Sequence, residues 1–179
     1  MENNANSIPV YLEIGKKKTF AGAIDWPGWC RSGRDEDAAL QALLDYGPRY
    51  AVVVQPTQLG FEALGDLSAF NILERSEGNT TTDFGSPAVA PISDSQPVSE
   101  DELQRYIRVL QGSWQAFDKA AASAAGHELR KGPRGGGRDL DAIVQHVLAA
   151  EGAYLRKLGW EFSKGGILCS PGAPGGYGY

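Results

Sequence analysis

The histidines of the second half of the chain are its most evident candidates for chemistry. His127 and His146 are the only two. A neutral imidazole is the commonest protein ligand of zinc-type ions, so His146 is a candidate ligand for a divalent metal, zinc or nickel. Alanines surround His146 on a helical wheel, and a histidine flanking a close helix contact is the alternative. We favour this structural interpretation.

Glu151 is the second candidate, because it falls within the apolar stripe of its predicted helix. An unpaired carboxylate is expensive to bury, so the pattern predicts a buried carboxylate with a partner. Glu151 could act as a general base, ligate an ion from a wide cleft, or pair with an arginine such as Arg105 or Arg108. His146 and Glu151 lie about 140° apart around the helix, which is unsuited to sharing one ion. We favour a structural pair.

A glycine-rich basic loop precedes this helix. Its three cations and its backbone amides stand before a helix N-terminus, an arrangement that binds phosphate or carboxylate. It is not a P-loop, because the lysine comes first and the Gly-Lys-Ser/Thr ending is absent. A flexible connector with solvated charges is the alternative, and we prefer it. The candidate anion-binding residues are Lys131, Arg134, Gly135, Gly136, Gly137 and Arg138.

The two cysteines, Cys30 and Cys169, lie far apart and match no metal-binding spacing. This usage is typical of a protein kept reduced in the cytoplasm. Arg31 could lower the pKa of the Cys30 thiol, but no catalytic histidine is close in sequence, so a half-buried structural thiol is favoured. The sequence identifies no catalytic residues.

Composition limits the classes of partner. The chain has 179 residues, 42% of them hydrophobic, and a formal charge of −5. Residues 1–97 carry seven basic and thirteen acidic side chains. Residues 98–179 carry ten basic and nine acidic side chains. An acidic protein lacks the electrostatic surface that binds nucleic acid phosphates, so nucleic acid is an unlikely partner. No signal peptide or membrane-spanning run is evident, and we expect no membrane association.

The first half shows strand periodicity. Apolar and polar residues alternate over Val10–Ile14 and again over Phe20–Trp26, which predicts a β hairpin. Phe70–Glu74 reads as a further strand. Tyr50–Gln55 is compatible with either a strand or a short helix, because periodicity does not separate them at this length.

A helix is predicted between these strands. Asp35 can cap it, and acidic residues follow in the positive first turn. Gly47-Pro48 is expected to end it. We expect Trp26 or Trp29, at the preceding turn, to pack against this helix. Its predicted buried stripe consists of Leu40, Leu43 and Leu44.

The second half is predicted to be helical. Residues 80–98 contain three prolines and little periodicity, which is the composition of a linker. Ser99 and Glu102 then form a capping-box pattern, and apolar residues recur at intervals of three or four up to Ala121. A second helix is capped by Asp139 and runs to about residue 158. The glycine- and proline-rich tail, 161–179, is expected to be flexible.

The turn and helix of the first half resemble a known family. Asp25-Trp26-Pro27-Gly28, then Gly33, then Glu36-Asp37-Ala38-Ala39, are similar to the strand, turn and helix of HicB-like proteins. The resemblance implies a small antiparallel sheet with a helix over residues 8–79. HicB-like antitoxins commonly carry a DNA-binding element after this unit, and none is evident here.

The second predicted helix resembles another family. Ile143-Val144-Gln145-His146 and Ala150-Glu151-Gly152-Ala153-Tyr154 are similar to the second helix of DinB-like four-helix bundles, and residues 102–121 would match the first. That family includes metal-dependent thiol transferases and isomerases. Metal sites of that family usually take one histidine from this helix and two more from a later helix. The resemblance therefore implies a ligand role for His146 alone.

Taken together, these patterns predict an α+β protein of bacterial type. A HicB-like module over residues 8–79 and a linker over 80–98 precede a DinB-like helical hairpin over 99–160. A hairpin alone covers only part of its apolar stripes, so we expect a homodimer in which two hairpins form a four-helix bundle.

Two hypotheses for function stay open. The first is a non-catalytic binding or regulatory protein with a protein partner, or with a small anionic or thiol ligand. The second is a DinB-like metalloenzyme, either degenerate or completed by oligomerisation.

Overall fold

The computed structural model describes residues 7–130, 137–157, 159–163 and 166–169. Within these ranges the chain forms a four-stranded sheet, a two-stranded sheet and four α helices, which confirms the α+β class. No helix in these ranges has both the length and the apolar character needed to cross a bilayer. The chain divides into two compact units, residues 1–116 and 117–179, and each is described by itself.

The first unit is built on a sheet of four strands, β1 (Ile8–Ile14), β2 (Thr19–Ala23), β3 (Cys30–Gly33) and β4 (Phe70–Glu77), in the order β3-β2-β1-β4. The predicted hairpin is confirmed, since β1 and β2 pair antiparallel, as do β2 and β3. β4, however, pairs parallel with β1, so the sheet is mixed. The reason is the helix between β3 and β4, because a helical crossover returns the chain in the same direction.

Helix α1 (Glu36–Val54) begins where the sequence predicted. Asp35 caps it by accepting a hydrogen bond from the amide of Ala38 at 2.8 Å. The predicted end at Gly47-Pro48 is wrong, and the ambiguous segment after it is helical. Tyr50 and Val54 extend the buried face of the helix over the sheet, and this packing outweighs the backbone hydrogen bond that proline removes.

The core lies between α1 and one face of the sheet. Trp26 and Trp29 are both buried, which confirms that the turn packs against α1. The Trp29 indole N–H donates to the carbonyl of Leu43 at 2.9 Å. Its ring stacks on that of Tyr50 with 5.8 Å between centroids. Phe61 and Phe70 complete this aromatic cluster.

Gly33 explains part of the turn motif. It ends β3 at the point where the chain enters α1, and a Cβ there would collide with the backbone of Ala38 and Ala39. Glycine is needed here because two segments of backbone approach closely.

Residues 80–98, predicted from composition to be a linker, belong to the first unit. They include the short helix α2 (Thr80–Phe84). Helix α3 (Glu100–Ala124) follows. Its capping box is confirmed, since Ser99 N–H donates to the Glu102 carboxylate at 2.9 Å and Glu102 N–H to the Ser99 hydroxyl at 3.3 Å.

The second unit contains the end of α3, helix α4 (Leu140–Lys157), and the antiparallel strands β5 (Trp160–Ser163) and β6 (Gly166–Cys169). Asp139 caps α4 by accepting from the amide of Ala142 at 2.8 Å, as predicted. Both strands include residues of the segment that composition predicted to be a flexible tail. Its other residues, 164–165 and 170–179, lie outside the described ranges.

Candidate functional site: a cavity on the polar face of the sheet

The sheet of the first unit has a second face, opposite α1. Successive side chains of a strand point to opposite faces, so Tyr11 and Glu13 of β1 lie on this side, next to Gly22 and Phe20 of β2. The side chain of Glu13 is fully buried. A buried face with a carboxylate needs polar partners, and residues 80–98 provide them.

Glu13 fastens this covering segment to the sheet. Its carboxylate accepts hydrogen bonds from the hydroxyl of Thr82, from the amide of Ala88 at 3.0 Å and from that of Val89 at 3.1 Å. Glu74 of β4 accepts from the amide of Ile92 at 2.8 Å. Because an unpartnered buried carboxylate is costly, these bonds fix the position of the segment over the sheet.

A cavity of about 520 Å³ remains on this face. The turn between β2 and β3 lines one side, and residues 91–98 with the start of α3 line the other. All of its lining residues lie in the first unit. This volume is within the range of small-molecule sites, about 300–1,000 Å³.

The inner wall carries a tyrosine and a cysteine. The Tyr11 hydroxyl donates to the sulfur of Cys30 at 3.8 Å. Burial raises the pKa of both groups. For Cys30, the Tyr11 hydrogen bond and the charge of Arg31 lower the pKa, but burial outweighs them. The predicted effect of Arg31 is therefore present and too small to activate the thiol. The Arg31 guanidinium lies 3.0 Å from the ring centre of Tyr46.

Three carboxylates, Asp25, Asp94 and Glu102, lie at the exposed rim of the cavity. They are the only charged side chains among the described residues that line it. They surround Tyr106, whose pKa is raised by burial and by the charges of all three. Hydrogen bonds from Ser99 hold the pKa of Glu102 below its usual range.

No basic side chain in the described part of the chain forms a salt bridge with these carboxylates. The two salt bridges found there join Arg34 to Asp35 and Arg75 to Glu36. Arg105 is close to the rim in sequence, but its guanidinium lies over the ring of Trp26, 4.2 Å from the centre. Among the described residues, the three rim carboxylates therefore form no salt bridge.

The candidate residues of the second unit are not part of this cavity. His146 is exposed on α4, and Glu151 is half-buried there. No hydrogen bond or salt bridge joins Glu151 to another described residue. Within the described ranges, no three groups from histidine, cysteine, aspartate and glutamate are arranged to hold a metal ion. The metal and carboxylate assignments stay predictions.

The proposed anion loop is only partly described. Lys131, Arg134, Gly135 and Gly136 lie outside the described residues. Gly137 and Arg138 line a cavity of about 160 Å³ together with His127 and Arg130. The Asp139 carboxylate already accepts one of the free amides at the start of α4. Anion binding at this loop stays a prediction.

The sequence did not reveal the larger cavity, because its wall comes from four separate segments and has no local motif. The alternation over Val10–Ile14 puts Glu13 on the side of the strand away from the core, and a solvated glutamate would occupy the same position. Comparison of the chain with protein-family models, with curated proteins and with solved structures gives no match.

Proposed function

We propose that the chain is a non-catalytic binding or regulatory protein, with the first unit as its recognition module. The observation that carries this proposal is the chemistry of the cavity's inner wall. Burial raises the pKa of Tyr11 and of Cys30, so both hold their protons at neutral pH. A protonated thiol is a weak nucleophile, and a tyrosine of raised pKa is a weak acid. Such a wall suits binding better than proton transfer.

A HicB-like identity for this unit is part of the proposal. Asp25 to Gly28 lie in the turn after β2, and Gly33 brings the end of β3 against the start of α1. These residues carry the resemblance. Asp25 to Gly28 form the turn, and Gly33 lies where strand β3 leads into helix α1. The free thiol at Cys30 fits a cytoplasmic location, where thiols stay reduced.

Assembly as a homodimer is the second part of the proposal, and helix α3 supports it. Leu103, Ile107, Leu110 and Trp114 are spaced by four, three and four residues, which is the spacing of a coiled-coil seam. Their exposed fractions range from 37% to 53%. The opposite side of α3 is packed, since Val109 and Gly112 are buried. The seam is therefore available to another helix.

A second copy of α3 fits this seam by charge. The positions flanking the seam within the first unit are Gln104, Tyr106, Gln111 and Ser113, all without charge at neutral pH. Two copies related by a two-fold axis would meet without like-charge repulsion.

The test of the dimer is molar mass in solution by light scattering. We expect a dimer at about 100 µM, a concentration well above the dissociation constant expected for a substantial apolar interface. Leu110→Asp should give a monomer that stays folded, because Leu110 is 53% exposed. Gln115→Asp adds the same charge at an exposed position off the seam and should leave the dimer intact. A monomeric wild type would contradict the proposed assembly.

Metal content separates the binding protein from the DinB-like metalloenzyme. Chain purified without an affinity tag should contain no stoichiometric zinc or nickel. Stoichiometric metal that is lost in His146→Ala would favour the enzyme and contradict the proposal.

A further inference from the structure

We propose that residues 85–98 form a strap that gates the cavity on the polar face of the sheet. The strap is the part of the covering segment that lies between α2 and α3. It opens as one unit while the rest of the first unit stays folded, and a ligand enters and leaves through this opening. The inference rests on the proposed binding function and adds how access to the cavity is controlled.

The strap contributes little to the hydrophobic core. None of its residues is buried, and only Val89, Pro91 and Ser93 are partly covered. The side chain of Ile92 is 71% exposed. Because buried apolar surface is the main source of stability, a segment that buries so little can leave its place at a small cost in free energy.

Three backbone amides hold the strap to the sheet. The Glu13 carboxylate accepts hydrogen bonds from the amides of Ala88 and Val89, and Glu74 accepts one from the amide of Ile92. Within the described part of the chain, residues 93–98 make no hydrogen bond to the sheet. When the strap opens, water replaces the partners of these amides and carboxylates, so each bond adds only modestly to closure.

Both ends of the strap are fixed more firmly than its middle. On one side, Thr82 of α2 is fully buried, and the Asp83 carboxylate accepts from the amide of Lys17 at 2.7 Å. On the other side, α3 packs so closely on the end of α1 that a Cβ at Gly112 would collide with the side chain of Thr57. A segment anchored at both ends can move between them without unfolding its neighbours, as the lid loops of many proteins do.

The strap forms one wall of the cavity, and the sheet beneath it carries Tyr11 and Cys30. Opening therefore exposes the Cys30 thiol, and the rate at which a reagent reaches this thiol reports the gate. The strap residues that line the cavity are Pro91, Ser93, Asp94, Gln96, Pro97 and Val98.

Native-state hydrogen exchange of the full chain, followed by NMR, tests whether the strap opens by itself. The protection factors of the Ala88, Val89 and Ile92 amides should agree with one another. They should lie at least about tenfold below that of the Leu43 amide, which belongs to a fully buried residue of α1. Low concentrations of urea should affect the strap amides little and the Leu43 amide strongly, because urea dependence scales with the surface that opening exposes.

The variant Glu74→Ala tests whether the strap opens as one unit. It removes the acceptor of the Ile92 amide and leaves Glu13 in place. If opening is cooperative, exchange should accelerate by about 3- to 10-fold at Ile92 and equally at Ala88 and Val89, which Glu74 does not contact. Exchange at Leu43 should not change. Glu77→Ala, at an exposed glutamate of the same strand, is the matched control and should leave all four amides unchanged.

Alkylation of Cys30 by iodoacetamide tests whether the opening gives access to the cavity. In a Cys169→Ser background, Glu74→Ala should raise the alkylation rate by about the same 3- to 10-fold factor, and Glu77→Ala should not. The groups that shift the pKa of Cys30 are Tyr11, Arg31 and Glu13, so the change in rate reports access to the thiol.

Each measurement can overturn the inference. Strap amides as protected as Leu43 in the wild type would show that the strap opens only when the whole unit unfolds. Acceleration at Ile92 alone in Glu74→Ala would show that the strap does not open as a unit. An unchanged alkylation rate would show that opening does not admit a small molecule. Metal content and molar mass test the proposed function separately, so its failure is distinguishable from failure of the gate.

Discussion

The two faces of the four-stranded sheet are covered in different ways. On one face, Val10, Leu12 and Ala21 pack against α1 with no exposed surface. On the other, the fully buried Glu13 is met by backbone amides and a hydroxyl from residues 80–89. The first face is a hydrophobic core, and the second is held by hydrogen bonds and leaves a cavity beside them.

The apolar face of the sheet contributes mainly to stability, and the hydrogen-bonded face is the one suited to recognition. An apolar face gains free energy from any well-packed partner, because burial is non-directional. A face held by hydrogen bonds positions its cover only where donors and acceptors match. The polar face is therefore the one that can keep a defined space open for a ligand, and its carboxylates give that space a charge.

The largest effect is expected on the apolar face. Leu43→Ala removes a side chain with no exposed surface from the centre of α1 and should lower the free energy of unfolding by about 2–5 kcal/mol. Leu73→Ala is the matched control, because Leu73 is 60% exposed, and should cost less than about 1 kcal/mol. Urea denaturation measures both. Equal losses would mean that the α1 face is not the core.

A smaller effect is expected on the polar face. Glu13→Ala leaves the Thr82 hydroxyl and the amides of Ala88 and Val89 without their acceptor. We expect a loss of about 1–3 kcal/mol in unfolding free energy. Hydrogen exchange should accelerate at the Ala88 and Val89 amides. Glu77→Ala, an exposed glutamate of β4, should change neither measurement. Unchanged protection in Glu13→Ala would show that Glu13 does not hold the cover.

The smallest effect concerns the reactivity of the Cys30 thiol in the cavity wall. It is measured as a rate of alkylation and not as a change in stability. In a Cys169→Ser background, alkylation of Cys30 reports its thiolate, the reactive form. Burial raises the pKa of this thiol, so less thiolate is present at a given pH, and the rate should reach its midpoint above about pH 8.5, the ordinary thiol value. Tyr11→Phe removes a hydrogen bond that lowers this pKa, so the midpoint should rise further. The urea-unfolded chain is the control. A midpoint below that of the unfolded chain would show an activated thiol and weaken the binding interpretation.

The local features of the fold can be predicted from residue types and their spacing. Asp35, Ser99 and Asp139 each cap a helix through an amide three residues later. Strand alternation predicted β1 and β2, and the segment Phe70–Glu74 was predicted to be a strand, which is part of β4. These features depend on atoms close together in the chain, so residue type and spacing are enough to predict them.

The length of α1, the buried carboxylate and the cavity depend on contacts between distant segments. Helix α1 continues through Pro48 because the sheet supplies a surface for Tyr50 and Val54, which no local pattern contains. Glu13 and Thr82 are 69 residues apart in the chain, and only folding turns a strand glutamate into a buried acceptor. The cavity likewise exists only where the sheet, a turn, the covering segment and α3 meet. Burial and long-range hydrogen bonding depend on which segments become neighbours, and spacing along the chain does not record that.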